Sequence, residues 1–324
     1  MRLVMMGTGT FAEPTFGAIL ASPHPVVGLV TQPDRPAGHE RGSTRQAERG
    51  MLDIARRHQV PVIQPDSINT PEGVAALRAL NPDLVVVAAY GQILSKEVLA
   101  VPTHGGINVH ASLLPKYRGA APVAWAIYHG ETESGVTIIK MSVRLDAGDM
   151  LAQETLAIRP TETAGELESR LAPLGARLAA EVIEQIAAGR ERGTKQNAEL
   201  VTKAPKLTKD HGLINWSGSA REVVNQIRAM QPWPTAYTFY HHPGQEPLRL
   251  IVHRALASER AHPDRLGASR VIPGEPLRLI IEAGQGTHVE ILDLQPAGKR
   301  RMSAAEFLRG HRVVEGDSFG PEVQ

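Results

Sequence analysis

Asn108 and His110 stand two residues apart in the run Ile107-Asn-Val-His-Ala-Ser-Leu-Leu-Pro115, a polar cluster set among apolar residues. On an extended segment, residues two apart project to the same side. An Asn amide held there can donate to an oxygen that becomes negative during a reaction. A His held there titrates near neutrality and can hold or move a proton. The same pair also suits an ordinary hydrogen-bonded loop, and residue types alone leave both readings open. A carboxylate partner is available in Leu145-Asp-Ala-Gly-Asp149, which follows a strand-like stretch. Asp146 could orient His110 and favour its charged form. Asp146 and Asp149 could equally be turn formers.

Several other chemistries find no support. With no cysteine, disulfides, thiolate nucleophiles, zinc fingers and iron–sulfur clusters are excluded. No G-x-x-x-x-G-K-[ST] loop and no H-E-x-x-H motif occur, and no metal is expected. His241-His242 lacks helical ligand spacing and reads as an exposed turn. Gly7-Thr-Gly9 partly matches a dinucleotide loop, with Ala12 where the third glycine would stand. Asn215-Trp-Ser217 is a glycosylation sequon by pattern only.

The elements that must position these residues are legible in outline. At 324 residues the chain has room for two domains. Lys+Arg is 35 and Asp+Glu 34, which rules out a blanket polycation but not a local basic face. The longest apolar run, Leu84–Tyr90, is far short of the roughly 20 residues that span a bilayer. The apolar start, Met1–Gly7, is too short for a signal peptide, so a cytoplasmic protein without membrane contact is expected.

The first half alternates strand-like runs (Arg2–Met6, Val26–Thr31, Val60–Ile63, Asp83–Ala89) with helical ones (Phe11–Leu20, Met51–His58, Pro71–Leu80). This alternation predicts α/β architecture, a mostly parallel sheet with helices on both faces. Ligands bind such sheets at the carboxyl ends of the strands. Val136–Val143 and Met150–Ile158 read as a hairpin, and Thr163–Ala188 as a long amphipathic helix. Residues 190–205 read as a linker or an extended crossing segment. Beyond a helix at Ser219–Met230, strands at Ala236–Tyr240, Leu248–His253, Leu277–Glu282 and His288–Leu294 suggest a small β-barrel.

The stretch Asn108-Val-His-Ala-Ser-Leu-Leu-Pro-Lys-Tyr-Arg-Gly-Ala-Ala-Pro122 resembles the methionyl-tRNA formyltransferase family. Thr31-Gln-Pro-Asp-Arg-Pro-Ala-Gly38, Gly135-Val-Thr-Ile and Leu145-Asp-Ala-Gly-Asp-Met150 resemble it too. So do Lys206-Leu-Thr-Lys, Ile214-Asn-Trp216, Arg228, Gln231-Pro-Trp-Pro234 and Leu294-Gln-Pro-Ala-Gly-Lys299, so that the likeness spans nearly the whole chain. The resemblance implies a Rossmann-like formyltransferase domain over 1–189, a linker over 190–205 and an OB-fold-like, tRNA-binding β-barrel over 206–324. It implies transfer of a formyl group from 10-formyltetrahydrofolate to the α-amino group of initiator methionyl-tRNA, by a monomer that needs no metal.

By the same resemblance the catalytic residues are Asn108, His110 and Asp146, the acid that precedes the Ala-Gly step. The folate site comprises Ser112, Leu113, Leu114 and Pro115, with Tyr90 and Gly91 lining the pocket. Phe11 falls near the methionyl side chain. Arg41 and Arg45, in a loop that departs from the family's usual basic run, are candidates for tRNA contact, as are Lys299, Arg300 and Arg301. The opening Gly7-Thr-Gly-Thr-Phe11 also departs from the usual Gly-Thr-Pro-Asp-Phe. Two alternatives compete. One is a folate enzyme with another acceptor, such as a nucleotide sugar or glycinamide ribonucleotide, or a formyl-folate hydrolase. The other is a catalytically silent RNA-binding module.

Overall fold

The computed structural model describes residues 1–33, 47–258, 269–272, 277–311, 313–314 and 317–323. The chain forms two units that interleave in sequence. The first comprises Met1–Val123, Thr132–Arg159 and Gly165–Lys206, and the second Ala124–Glu131, Pro160–Ala164 and Leu207–Gln324.

In the first unit the expected alternation is present. The strands are β1 (Leu3–Gly7), β2 (Val26–Val30), β3 (Val62–Ile63), β4 (Leu84–Ala88), β5 (Gly106–His110), β6 (Arg118–Gly119), β7 (Glu133–Lys140), β8 (Met150–Ala157) and β9 (Lys203–Ala204). The helices are α1 (Ala12–Leu20), α2 (Ala47–Arg57), α3 (Pro71–Ala79), α4 (Lys96–Leu99), α5 (Pro122–Tyr128, which runs on into the second unit) and α6 (Ala164–Ala187). The main sheet has the order β3-β2-β1-β4-β5-β7-β8. It is parallel from β3 to β5, and β7 and β8 add on antiparallel. Every residue of β1 and β4 is buried. This is why these strands read as unbroken apolar runs rather than alternating ones: a central parallel strand is covered on both faces.

Helix α3 begins where Thr70 accepts a hydrogen bond from the Gly73 N–H, with Pro71 at the first helical position. Of the stripe Leu167, Leu171, Leu174, Leu178, Val182 and Ile186 that the spacing of helix α6 predicts, all are buried but Leu174, which is half-buried.

Residues 190–205 are not a free linker. Thr194 pairs with Met150 through two backbone hydrogen bonds of 2.9 Å, and β9 forms a short parallel ladder with β6. The segment crosses the first unit as a strap. Its polar composition reflects an exposed outer side, which sequence cannot distinguish from a solvated tether.

The second unit is built on α7 (Ala220–Ala229), β10 (Ala236–His241), β11 (Leu248–Ser258), β12 (Ser269–Ile272), β13 (Arg278–Glu282), β14 (His288–Pro296), β15 (Met302–Ser303), α8 (Ala304–Gly310) and β16 (Ser318–Gly320). Its sheet runs β12-β13-β14-β11-β10-β16, all antiparallel, with β15 on β14, as in a curled OB-like half-barrel. Strand β11 is longer than its sequence suggested. Its register slips around Arg254, and such bulges bend a strand and raise its twist. His242 is no exposed turn residue: its Nδ1 lies 2.7 Å from Oδ1 of the buried Asp317, whose other oxygen accepts from Tyr240 Oη at 2.6 Å.

Candidate active site

Strand β5 lies between β4 and β7, with Asn108 opposite Ile139 and His110 opposite Thr137. The two-residue spacing therefore puts both polar side chains on one side, at the carboxyl end of the strand. Between β7 and β8 the chain turns back through Asp146, which adopts a φ of +48°. Asp tolerates this left-handed region better than most residues. The turn is tight at Gly148, where a Cβ would fall 1.6 Å from the Lys140 carbonyl oxygen.

This turn brings Asp146 to the other two residues. Asn108 Nδ2 donates to Asp146 Oδ1 at 3.4 Å, and His110 Nδ1 lies 3.7 Å from Asp146 Oδ2. The Gly119 N–H donates to that same Oδ2 at 2.9 Å. The far side of the imidazole is engaged as well, with Nε2 3.0 Å from the Tyr117 carbonyl oxygen. A carbonyl can only accept, so Nε2 carries a proton in this arrangement. His110 is 5% exposed and Asp146 9%. At such burial, charges interact far more strongly than in water. Asp149 is exposed, so the geometry singles out Asp146 of the two acids.

The turn that follows β5 is held by one hydroxyl. Thr137 Oγ1, fully buried, donates to the Ser112 carbonyl at 2.7 Å and accepts from the Leu114 N–H at 3.1 Å. Gln153 Nε2 donates to the same oxygen at 2.8 Å and to the Leu114 carbonyl at 3.0 Å. Ser112 is itself buried and donates to the Lys116 carbonyl at 2.7 Å. Leu114 is buried, whereas Leu113 and Pro115 are half-buried and retain surface for a ligand.

Tyr90 departs from its expected place. Its ring is 2% exposed and packs into the core with Val4, Met6, Ile68 and Leu77. Burial pushes the phenol pKa up to about 12. What Tyr90 can offer a ligand is therefore its main chain, whose carbonyl accepts from Gln32 Nε2 at 3.0 Å. Gly91, beside it, is exposed at a φ of +83°.

Phe11 is 6% exposed at the start of α1, so its ring belongs largely to the core. Arg41 and Arg45 lie outside the described residues. Lys299 is exposed. Arg300 pairs with Glu306 at 2.9 Å and Arg301 with Asp293 at 2.8 Å, both on the surface of the second unit. Exposed pairs of this kind are worth about 0–1 kcal/mol, so a phosphate could compete for either guanidinium.

Sequence reading passed over Thr137, Gln153 and Gly119. Nothing in their types marks them, because Thr137 and Gln153 act on main-chain groups and Gly119 through its own main chain, in places fixed only by the fold. Among the described residues no group of His, Cys, Asp and Glu is arranged to hold a metal, and no helix is long and apolar enough to cross a membrane.

Comparison with known proteins shows the family and the fold. Residues 1–183 match the family described as "Formyl transferase" and residues 206–312 "Formyl transferase, C-terminal domain". The chain is 39% identical to the methionyl-tRNA formyltransferase of Bacillus subtilis over 98% of both proteins. It is 42% identical to that of Citrifermentans bemidjiense, over 99% of this chain and 96% of that one. Among solved structures, the sugar 3N-formyl transferase WlaRD, determined in the presence of dTDP and 5-N-formyl-THF, superposes with a TM-score of 0.66 at 17% identity, over 93% of this chain and 99% of that one. An N-formyltransferase from Helicobacter canadensis, in complex with folinic acid and dTDP-3-aminofucose, gives 0.64 at 19% identity, over 90% of this chain and 98% of that one. At these identities the two structures show a shared fold.

Proposed function

The chain belongs to the methionyl-tRNA formyltransferase family, and from that premise we propose how it moves the formyl group of 10-formyltetrahydrofolate onto the α-amino group of methionyl initiator tRNA. The observation that carries the proposal is the meeting of Asn108, His110 and Asp146 at the end of β5, beside the Ser112–Pro115 turn.

The amine attacks as the neutral base. Its nitrogen bonds to the formyl carbon, and the formyl oxygen becomes an oxyanion in a tetrahedral intermediate. The Asn108 amide and the His110 ring are the donors for that oxygen. The 3.7 Å separation of His110 Nδ1 from Asp146 Oδ2 is too long for a hydrogen bond, so Nδ1 can serve the oxyanion with the carboxylate still beside it, while Nε2 keeps the Tyr117 carbonyl. Collapse of the intermediate breaks the bond from carbon to N10 of the folate. N10 gains a proton and the former amine loses one, and Asp146 is placed to assist that exchange. No covalent enzyme intermediate is required, because holding donor and amine together supplies much of the rate enhancement.

On this reading Ser112, Leu113, Leu114, Pro115 and Gly91, with the main chain of Tyr90, hold the folate. Phe11 borders the methionyl group, and Arg41, Arg45, Lys299, Arg300 and Arg301 contact the tRNA. The reaction takes place in the cytoplasm, the protein acts as a monomer, and no metal takes part. The test is to incubate the protein with 10-formyltetrahydrofolate and either methionyl initiator or methionyl elongator tRNA. Formylation confined to the initiator is expected. Equal formylation of both, or of neither with a folded, folate-bound protein, would reject this acceptor.

Thr137→Val offers a narrower test of the folate assignment. It removes the hydroxyl to which Ser112, Leu114 and Gln153 are tied. Leaving buried groups unsatisfied costs about 1–3 kcal/mol, so the KM for the formyl donor should rise roughly tenfold. The KM for tRNA should hold steady. A donor KM within a factor of about two of the parent's would detach this turn from the folate site.

A further inference from the structure

The strap formed by residues 190–205 touches both chain segments that hold the catalytic groups. At one end Thr194 pairs with Met150, just past the Asp146 turn. At the other, the Tyr117 N–H donates to Thr202 Oγ1 at 2.8 Å and the Arg118 N–H to the Thr202 carbonyl at 2.9 Å. The Ala120 N–H donates to the Ala204 carbonyl at 2.8 Å. Gly119 permits this approach: its φ is +132°, and a Cβ there would lie 2.3 Å from the Ala204 oxygen.

Gln196 joins the two ends through its side chain. Its Oε1 accepts from Arg118 Nε at 3.0 Å and from Arg118 Nη2 at 2.7 Å. Its Nε2 donates to the carbonyls of Asp146 and Gly148, both at 2.8 Å. Both amide hydrogens and both lone pairs of the carbonyl are thereby in use, the full capacity of the group. The bonded carbonyls flank Ala147 in the turn that presents the carboxylate. The bonded arginine is the neighbour of Tyr117 and Gly119, whose backbone groups hold His110 and Asp146.

We propose that Gln196 is a positioning residue for the formyl transfer: by clipping Arg118 to the Asp146–Gly148 carbonyls it fixes the carboxylate of Asp146 against Asn108 and His110. It rests on the reading of that triad as the reacting site. Gln196 itself touches no reacting atom. Its contribution is the alignment of groups on two separate loops, where a displacement of about 1 Å is costly.

Two variants isolate the effect. Gln196→Ala removes all four bonds. Gln196→Glu keeps the size and the acceptor for Arg118 but replaces the two donors with oxygen, facing two carbonyls that can only accept. Each is assayed with 10-formyltetrahydrofolate and methionyl initiator tRNA beside the parent protein, with the thermal unfolding midpoint recorded. Both should lower kcat by between about tenfold and a hundredfold while either KM changes less than about twofold, the pattern of lost alignment rather than lost binding. A purely structural anchor for Arg118 predicts instead that Gln196→Glu restores parental kcat, and that result overturns the proposal. So does a rise in KM at constant kcat. If Gln196→Ala does not fold, Gln196→Glu decides alone. A parent protein without activity would count against the functional reading rather than against Gln196.

Discussion

His110→Ala lowers kcat by about 10²- to 10⁴-fold, the range expected on losing both an oxyanion donor and a proton-handling group. The loss falls on kcat because the ring is 5% exposed, held between Asp146 and the Tyr117 carbonyl, and so offers little surface for binding the body of a tRNA. Initiator tRNA affinity, measured by filter binding without the formyl donor, should stay within about a factor of two of the parent's, since phosphate contacts elsewhere supply most of it. Single-turnover rates with both substrates saturating are the decisive measurement. Turnover near the parental rate would remove His110 from the mechanism and leave Asn108 as the sole side-chain donor to the oxyanion.

Asp146→Asn is the second large effect, and its design follows from the backbone. At a φ of +48°, Asn is accepted at least as readily as Asp, whereas Ala is strained by roughly 1–2 kcal/mol. The Asn variant keeps an oxygen for the Gly119 N–H but loses the negative charge. One of its two terminal atoms now donates, toward a site where Asn108 and His110 also present donors. We expect kcat to fall by about 10²-fold or more, with little change in the unfolding midpoint. Asp146→Ala should show the same kinetic loss together with a lowered midpoint. If Asp146→Asn retained more than about a tenth of parental kcat, the carboxylate would be a structural ligand of the Gly119 N–H and no part of the transfer.

Sequence shows one half of this site more clearly than the other. Asn108 and His110 declare themselves because their relation is local: two residues apart on a strand means one side of a sheet. The relation of Asp146 to that pair depends on where the turn after β7 lies, which no spacing rule supplies, so the residues offered Asp146 only beside a turn-forming reading and the family likeness chose between them. Tyr90 shows the opposite failure. It closes the apolar run Leu84–Tyr90, and a large aromatic there goes into the core, so that closeness in sequence to Gly91 says little about where its ring goes. Gln196 stands in a polar stretch that composition leaves open between a linker and an extended crossing segment, because an amide that serves backbone carbonyls resembles one that serves water. The helix α8 was legible in principle, since Ser303 and Glu306 form a reciprocal cap of the S-x-x-E kind.

The interleaving of the two units bears on how this protein can be recombined. Trp125 meets His211 ring edge to face at 5.3 Å, and the Arg228 guanidinium reaches the Glu162 carbonyl at 3.3 Å. A chimaera spliced only at residue 206 would therefore pair residues 207–324 of one parent with the 124–131 and 160–164 segments of the other. Grafting the second unit between relatives requires all three segments to travel together, and drift at Trp125 has to be matched by drift at His211, more than eighty positions downstream.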